Sequence, residues 1–549
     1  MGIKGAFDVV IVGAGAGGAA MAWRLVTNGA KVLLLEAGPR FDPAQDYPLT
    51  EPGWERAGFA HKPHSTASVT YGDLGRYDPG ETGLASWNAV SGRIHEDGAR
   101  RPVDQAYGHV QGVGGTTLHF VGEAHRLHPD SMALRTRFDQ GADWPLTYAD
   151  LEPYYTICES LIGVAGPADQ GARWRSAPFV QPAHPLSPAA KRLQKAGAQL
   201  GQNWQANSRA ALSQPRENRP ACNYCGNCSR GCPIGDKGSA DVTFIADAED
   251  TGRLVIREHA TVEKIHLAPD GQVAGVSYIH SGTRTYQETP VLVLAAGAVQ
   301  TPRLLLASAS GGVSNSSGQV GRNFMETLAW TSTGLLEGLE NSHMGLPADA
   351  ICWDYNQPDS VSGVVGGCRF NSAVQEIGFT GPIAYATRAV PGFGAGFKHA
   401  MRRDFGRAIS VGAIGEVIAD ARSFVGLDPQ KTDFIGQPLP VIHSVLTQNS
   451  VDLLRFMARQ ARRVLAQAGV RDLVEEYGSY DRFSTSHVFG TCRMGHQSDT
   501  SVVDGNCRSN DHPNLYITDA SVFASSGGGE SPSLTIQALA VRAADHIIS

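Results

Sequence analysis

Long apolar runs, clusters of one charge sign and evenly spaced cysteine pairs are all missing from this chain of 549 residues. No segment offers the roughly 20 consecutive apolar residues of a membrane-spanning helix, so none is expected to cross a bilayer. The first apolar stretch, "DVVIVGAGAGGAAMAWRLV", follows Asp8 where a secretory leader would carry a basic region, and glycines break it. The chain therefore shows no address of its own. A cytoplasmic place is the expectation, or a periplasmic one if another subunit carries the chain as a passenger. A net charge of −7 without blocks of like charge argues against nucleic acid and for small solutes as partners. Nine cysteines is an odd number, and Cys158, Cys352, Cys368, Cys492 and Cys507 are scattered, which excludes a disulfide-stapled scaffold.

What is present begins at residue 7. "FDVVIV", then "GAGAGG", then "AAMAWRLVTNGA" and "KVLLLEAG" read as strand, glycine turn, helix and strand, the opening of a βαβ unit. Gly13, Gly15 and Gly18 form G-x-G-x-x-G in that setting. The first allows the tight turn, the second a close approach of pyrophosphate to the backbone, and the third close helix packing. Uncapped amides at the helix start attract the phosphates. Glu36, ending the second strand, is placed to bond the ribose hydroxyls of a dinucleotide.

Further along, residues 40–110 read as an excursion of long loops. "DLEPYYTICESLIG" is helical, with Pro153 expected in its first turn. Residues 253–294 alternate apolar and polar positions as a β-meander would, with Asp270-Gly271 at a turn. "VLVLAAGAVQTPRLLLAS" runs from a buried strand into a helix with Pro302 early in it. Residues 330–450 are glycine-rich, with strands of a second domain expected there. "SVDLLRFMARQARRVLAQAG" is an amphipathic helix, and "SPSLTIQALAVRAADHII" forms another. The length fits two domains, or one large α/β domain with a second layer.

Four blocks carry a wider resemblance: the first glycine turn; "GVGGTTLHF" at 112–120; "AAGAVQTPRLLLAS" at 295–308 with "VGRNF" at 320–324; and "SHVFGTCRMG", "NLYITDASVF" and "SPSLTIQALAVRAAD" toward the end. In this order the chain resembles the glucose-methanol-choline (GMC) oxidoreductases, FAD enzymes that oxidise alcohols. The resemblance implies an α/β fold: a Rossmann-like FAD-binding domain, interrupted in sequence, with a second α+β substrate domain built on a sheet. The expected division is 1–150, 215–330 and 485–549 for FAD, with 151–214 and 331–484 for substrate.

The same resemblance assigns roles. Gly114, Gly115 and Thr116 come close to the flavin side of the cofactor, and Asp519 with Ala520 lies near the ribityl chain and pyrophosphate, although an Asp after a strand is more often a helix cap. His119 matches in position the histidine that some relatives link covalently to the flavin; cofactor contact alone is assigned to it. His487, preceding "GTCRMG", is expected to be the base that takes the hydroxyl proton while hydride leaves for flavin N5. Where relatives place Asn or His, this chain has Ser531, flanked by Glu530. Serine bonds hydrogen but is no base at neutral pH, so either His487 works with less help or Glu530 reaches into the site.

"CNYCGNCSRGCPIG" places Cys222, Cys225, Cys228 and Cys232 in the spacing C-x2-C-x2-C-x3-C-P. In ferredoxins the fourth thiolate of such a run serves another cluster, so a [3Fe–4S] site on three thiolates is the first expectation and [4Fe–4S] the second. Zinc and unligated thiols stay open as alternatives. With a cluster, the resemblance implies a dehydrogenase with a small helper subunit and a cytochrome or quinone as electron acceptor. Without one, it implies an oxidase using O₂, or a non-redox lyase of the same family.

Overall fold

A computed structural model describes residues 7–47, 70–71, 107, 109–168, 173–338, 341–373, 381–390, 392–471, 473–479 and 487–549. Most of the excursion expected at 40–110 lies outside them.

Two sheets organise the chain. The first has five parallel strands in the order Leu515–Ile517, Val291–Leu294, Val9–Val12, Val32–Leu35, Leu254–Arg257. The middle strands are unbroken apolar runs because helices or other layers cover both faces of such a sheet, and Val9–Val12, Val32–Leu35 and Leu515–Ile517 are buried throughout. The helix Ala16–Thr27 packs on the helix Ser533–Ile548, and Arg24 clamps Asp545 at 2.6 Å. The fold is thus α/β, its parallel sheet assembled from stretches far apart in sequence.

The alternating region 253–294 does not form a single meander. Ala260–Leu267, Val273–His280 and Thr283–Glu288 make a three-stranded antiparallel sheet, whereas the runs before and after it join the parallel sheet. The two prolines also sit deeper than expected. The helix Tyr148–Ile162 starts at a Thr147–Asp150 capping box, which puts Pro153 inside it, and Pro302 lies inside the helix Gly297–Ser308. Proline lacks the amide that would bond the carbonyl four residues back. For Pro302 that carbonyl belongs to Ala298, and the Thr491 hydroxyl donates to it at 2.7 Å. A residue of the "GTC" block thereby repairs the helix.

The second sheet has six strands in the order Leu473–Gly478, Leu328–Leu335, Ala408–Gly415, Cys368–Ser372, Ala350–Cys352, Trp204–Ala206, all antiparallel. The helix Gln448–Ala468 lies on it, burying Leu453, Leu454, Met457, Ala461 and Leu465 along one face.

Candidate active site

At the first glycine turn, Gly13 has φ +97°, and a Cβ on Gly18 would stand 1.9 Å from the Gly13 carbonyl oxygen, so the turn and helix meet at a distance only glycine permits. The helix Ala16–Thr27 begins at Gly15 with no side-chain cap and no acidic residue in its first turn. A pyrophosphate would satisfy those amides. The loop 112–118 closes over the turn: Gly114 N–H donates to the Ala14 carbonyl at 3.0 Å, and a Cβ on Gly115 would lie 2.6 Å from Gly15 Cα. Thr116 stands exposed beside this contact, and Ala520 is buried.

Glu36 is buried and accepts from Ala14 N at 2.9 Å and Gly38 N at 2.9 Å. Burial raises its pKa, and the backbone bonds oppose that rise. Each carboxylate oxygen keeps a lone pair for a ribose hydroxyl. Asp519 does cap a helix, and two elements share it: it accepts from Ser521 N at 2.8 Å in its own short turn, and from Gly297 N at 2.9 Å and the Thr301 hydroxyl at 2.6 Å at the start of Gly297–Ser308. The cradle fits a dinucleotide in its glycines, its open helix start and its buried acid. His119 Nδ1 lies 3.2 Å from the Ser229 carbonyl in the cysteine segment.

His487 enters where Thr327 N–H donates to its carbonyl at 3.1 Å and where Val488–Phe489 pairs with Met325–Glu326. Its ring is half-buried, and Nδ1 is sealed from solvent with no hydrogen-bond partner among the described residues. Burial, helped by the Arg369 charge and opposed by Glu123, lowers its pKa to about 4. The ring is therefore an unprotonated acceptor at neutral pH. Thr327 leads into Leu328, which pairs with Gly415, which pairs with Cys368, so His487 stands beyond the sheet end from which Arg369 projects.

Ser531 is buried and its hydroxyl donates to Glu123 Oε2 at 3.0 Å. Glu530 points elsewhere, with Oε1 accepting from Asn356 at 2.8 Å and lying 3.4 Å from Arg173. Near it the Glu416 carboxyl is buried; burial and the Glu530 charge push it up to about 8 against hydrogen bonds from Gly367, Gly527 and Ser131, so it is protonated at neutral pH. Arg369 donates to Glu123 Oε2 at 2.6 Å and to the Gly529 carbonyl at 2.6 Å. Gly529 has φ +102°, and a Cβ there would meet the Ile414 carbonyl oxygen at 2.4 Å, which is why the loop "GGGESPS" can lie across the sheet.

The sequence reading missed Glu123, His125, Asn207 and Arg369. "GEAHR", directly after the second glycine block, was the one signal available; nothing marked positions 207 and 369.

The four cysteines are free. Cys225 is exposed, Cys228 is buried, and Cys232 Sγ donates to Asp236 Oδ1 at 2.8 Å. Burial raises the pKa of Cys222, Cys228 and Cys232, keeping them thiols, with Cys232 pushed up to about 12. Among the described residues no three His, Cys, Asp or Glu side chains are grouped to hold a metal ion; as placed, the four thiols do not form a ligand set. The segment does touch the second glycine block: the buried Lys237 ammonium donates to the carbonyls of Leu118, Phe120 and Cys228 at 3.0, 3.0 and 2.8 Å.

Comparison with known proteins decides the family. Residues 130–329 and 419–540 match GMC oxidoreductase, and residues 11–42 match an NAD(P)-binding Rossmann-like domain. The chain belongs to the GMC oxidoreductases. It is accordingly an oxidoreductase with FAD as its cofactor. The chain is 28% identical to 2-methyl-1,2-propanediol dehydrogenase of Mycolicibacterium austroafricanum, over 98% of this chain and 95% of the relative. It is 27% identical to the fructose dehydrogenase large subunit of Gluconobacter japonicus, over 99% and 98%. A formate oxidase from Aspergillus oryzae RIB40, studied for modification of its FAD, shares the fold with TM-score 0.66 at 14% identity, covering 98% of each chain. This GMC oxidoreductase has no helix, among its described residues, long and apolar enough to cross a membrane.

Proposed function

We propose that this GMC oxidoreductase oxidises the CH–OH group of a sugar or another primary or secondary alcohol to a carbonyl, with His487 as the base. The carrying observation is the His487 ring, half-buried, unpartnered at Nδ1 and kept unprotonated by burial at the end of the substrate-side sheet. Bound FAD supplies a two-electron hydride acceptor. Gly13, Gly15, Gly18, Glu36, Gly114, Gly115, Thr116, His119, Asp519 and Ala520 are the residues assigned to hold it. His487 takes the hydroxyl proton, and Ser531 helps to orient the alcohol; Glu530, tied to Asn356 and Arg173, supports the loop that carries Ser531. The division expected from the sequence belongs to the same proposal, with the FAD domain on the parallel sheet and the substrate domain on the six-stranded one.

The test is anaerobic mixing of the purified flavoprotein with an alcohol panel. The wild type should bleach, and His487→Ala should retain its FAD while reducing it about 10²–10⁴-fold more slowly. An unchanged rate in His487→Ala would overturn the assignment.

The electron acceptor is the second part of the proposal. Dehydrogenases and oxidases both stand among the relatives; the dehydrogenase named as a large subunit favours a partner subunit, and with it an acceptor other than O₂. The cysteine run and its contact with the second glycine block favour an iron–sulfur cluster on Cys222, Cys225 and Cys228, with Cys232 as a fourth ligand. Such a cluster requires the segment to draw its thiols together, because they do not converge as placed. Iron and acid-labile sulfide in anaerobically purified protein would support it, and their absence would leave unligated thiols. Rapid reoxidation of the reduced flavin by air alone would make the protein an oxidase.

A further inference from the structure

Ser531 belongs to a closed circuit of hydrogen bonds. Its amide donates to His125 Nδ1 at 3.1 Å, so that nitrogen is the acceptor and the proton of the neutral ring sits on Nε2, which donates to Asn207 Oδ1 at 2.8 Å. Asn207 Nδ2 donates to Glu123 Oε1 at 2.7 Å, and Glu123 Oε2 accepts the Ser531 hydroxyl proton at 3.0 Å, which closes the ring. All four residues are buried. Burial holds His125 neutral by lowering it to about 3. Burial also raises Glu123, but the Arg369 and Arg209 charges and the Asn207 hydrogen bond outweigh that and keep its carboxyl ionised.

An ionised carboxylate only accepts, so the Ser531 proton is committed to Glu123 and the hydroxyl oxygen has lone pairs alone to offer. Arg369 shares the same carboxylate oxygen through Nη2. Its Nη1 is buried with no partner among the described residues, although the guanidinium is 1% exposed and bonded on its other nitrogens. An acceptor-only oxygen and a donor without a partner therefore flank one carboxylate at the sheet end where His487 stands. Leaving a buried guanidinium hydrogen unbonded is costly, and a ligand oxygen would satisfy it.

We propose that Glu123 is a positioning residue that sets this polarity, and that Ser531 Oγ and Arg369 Nη1 together bind a hydroxyl adjacent to the carbinol being oxidised. That second hydroxyl donates to Ser531 and accepts from Arg369, while the reacting hydroxyl donates to His487. The substrate class is a vicinal diol, as in a polyol or sugar. A monohydric alcohol leaves Arg369 unsatisfied, and a neighbouring carboxylate cannot donate to Ser531. The inference rests on His487 being the base.

The test uses the intact flavoprotein under anaerobic conditions, with 1,2-propanediol against 1-propanol and glucose against 2-deoxyglucose. The wild type should favour the member with the neighbouring hydroxyl by about 10-fold or more in KM, with a smaller change in kcat. Ser531→Ala, which removes one buried oxygen without disturbing the Arg369–Glu123 pair, should raise KM for that member about 10-fold more than for the other and so erase the difference. Ser531→Thr should restore the difference, and a merely structural role would not give this split. Glu123→Gln should act like Ser531→Ala if it folds. Equal KM values within both wild-type pairs, or an unchanged preference in Ser531→Ala, would overturn the inference while leaving His487 as base. Failure of every alcohol to bleach a photoreducible flavin would overturn the function itself, and this inference with it.

Discussion

In this GMC oxidoreductase the side proposed for the cofactor and the side proposed for the substrate are built from different materials. Around the first turn the contacts are backbone to backbone, set by glycines whose Cβ atoms would collide with carbonyl oxygens. Across the end of the six-stranded sheet the contacts run mainly between side chains, buried and polar, with Arg369, Glu123, Asn207, His125 and Ser531 bonding across long stretches of chain. A backbone cradle offers side-chain substitution little to change. A side-chain network can be rewritten, and here it accommodates a serine where the family resemblance led to the expectation of Asn or His.

Substitutions on the two sides should fail differently. Gly18→Val places carbon where the Gly13 carbonyl oxygen lies within 1.9 Å of a Cβ, so the variant should purify without FAD, seen as loss of flavin absorbance with no recovery on adding FAD. Arg369→Met should keep FAD in whatever folds, yet leave Glu123 buried and unpaired, costing about 3–5 kcal/mol in denaturant unfolding. If Arg369→Met instead lost FAD at full stability, the contrast between the two sides would be wrong. Thr491→Val, which leaves the Ala298 carbonyl above Pro302 without its donor, should cost about 1–3 kcal/mol and leave substrate KM unchanged.

The same contrast explains what could be read from the sequence. The βαβ opening was legible because glycine spacing and apolar runs are local, and Gly13, Gly15 and Gly18 lie where that pattern puts them. His487 and Ser531 were singled out only through the blocks around them. Glu123 and Arg369 were not, since they meet from positions 246 residues apart and neither lies in a motif that says what it will touch. Sequence placed Glu530 beside Ser531 and suggested that it reaches into the site; the fold turns it toward Asn356 and gives the serine to Glu123. The cysteine spacing was equally plain, but spacing fixes order along the chain and not convergence in space. The early placement of Pro302 failed because the helix begins sooner, with Thr491, distant in sequence, supplying the missing bond.

The central claim is that the imidazole at position 487 takes the substrate proton and is held unprotonated by its surroundings. Its most direct test is the pH dependence of the anaerobic flavin-reduction rate at low substrate concentration. Protonation blocks a base, so the rate should fall only as pH drops through about 4, remain flat from there to neutrality, and lose this acid limb in His487→Ala. An acid limb that stays in His487→Ala would show that another group takes the proton.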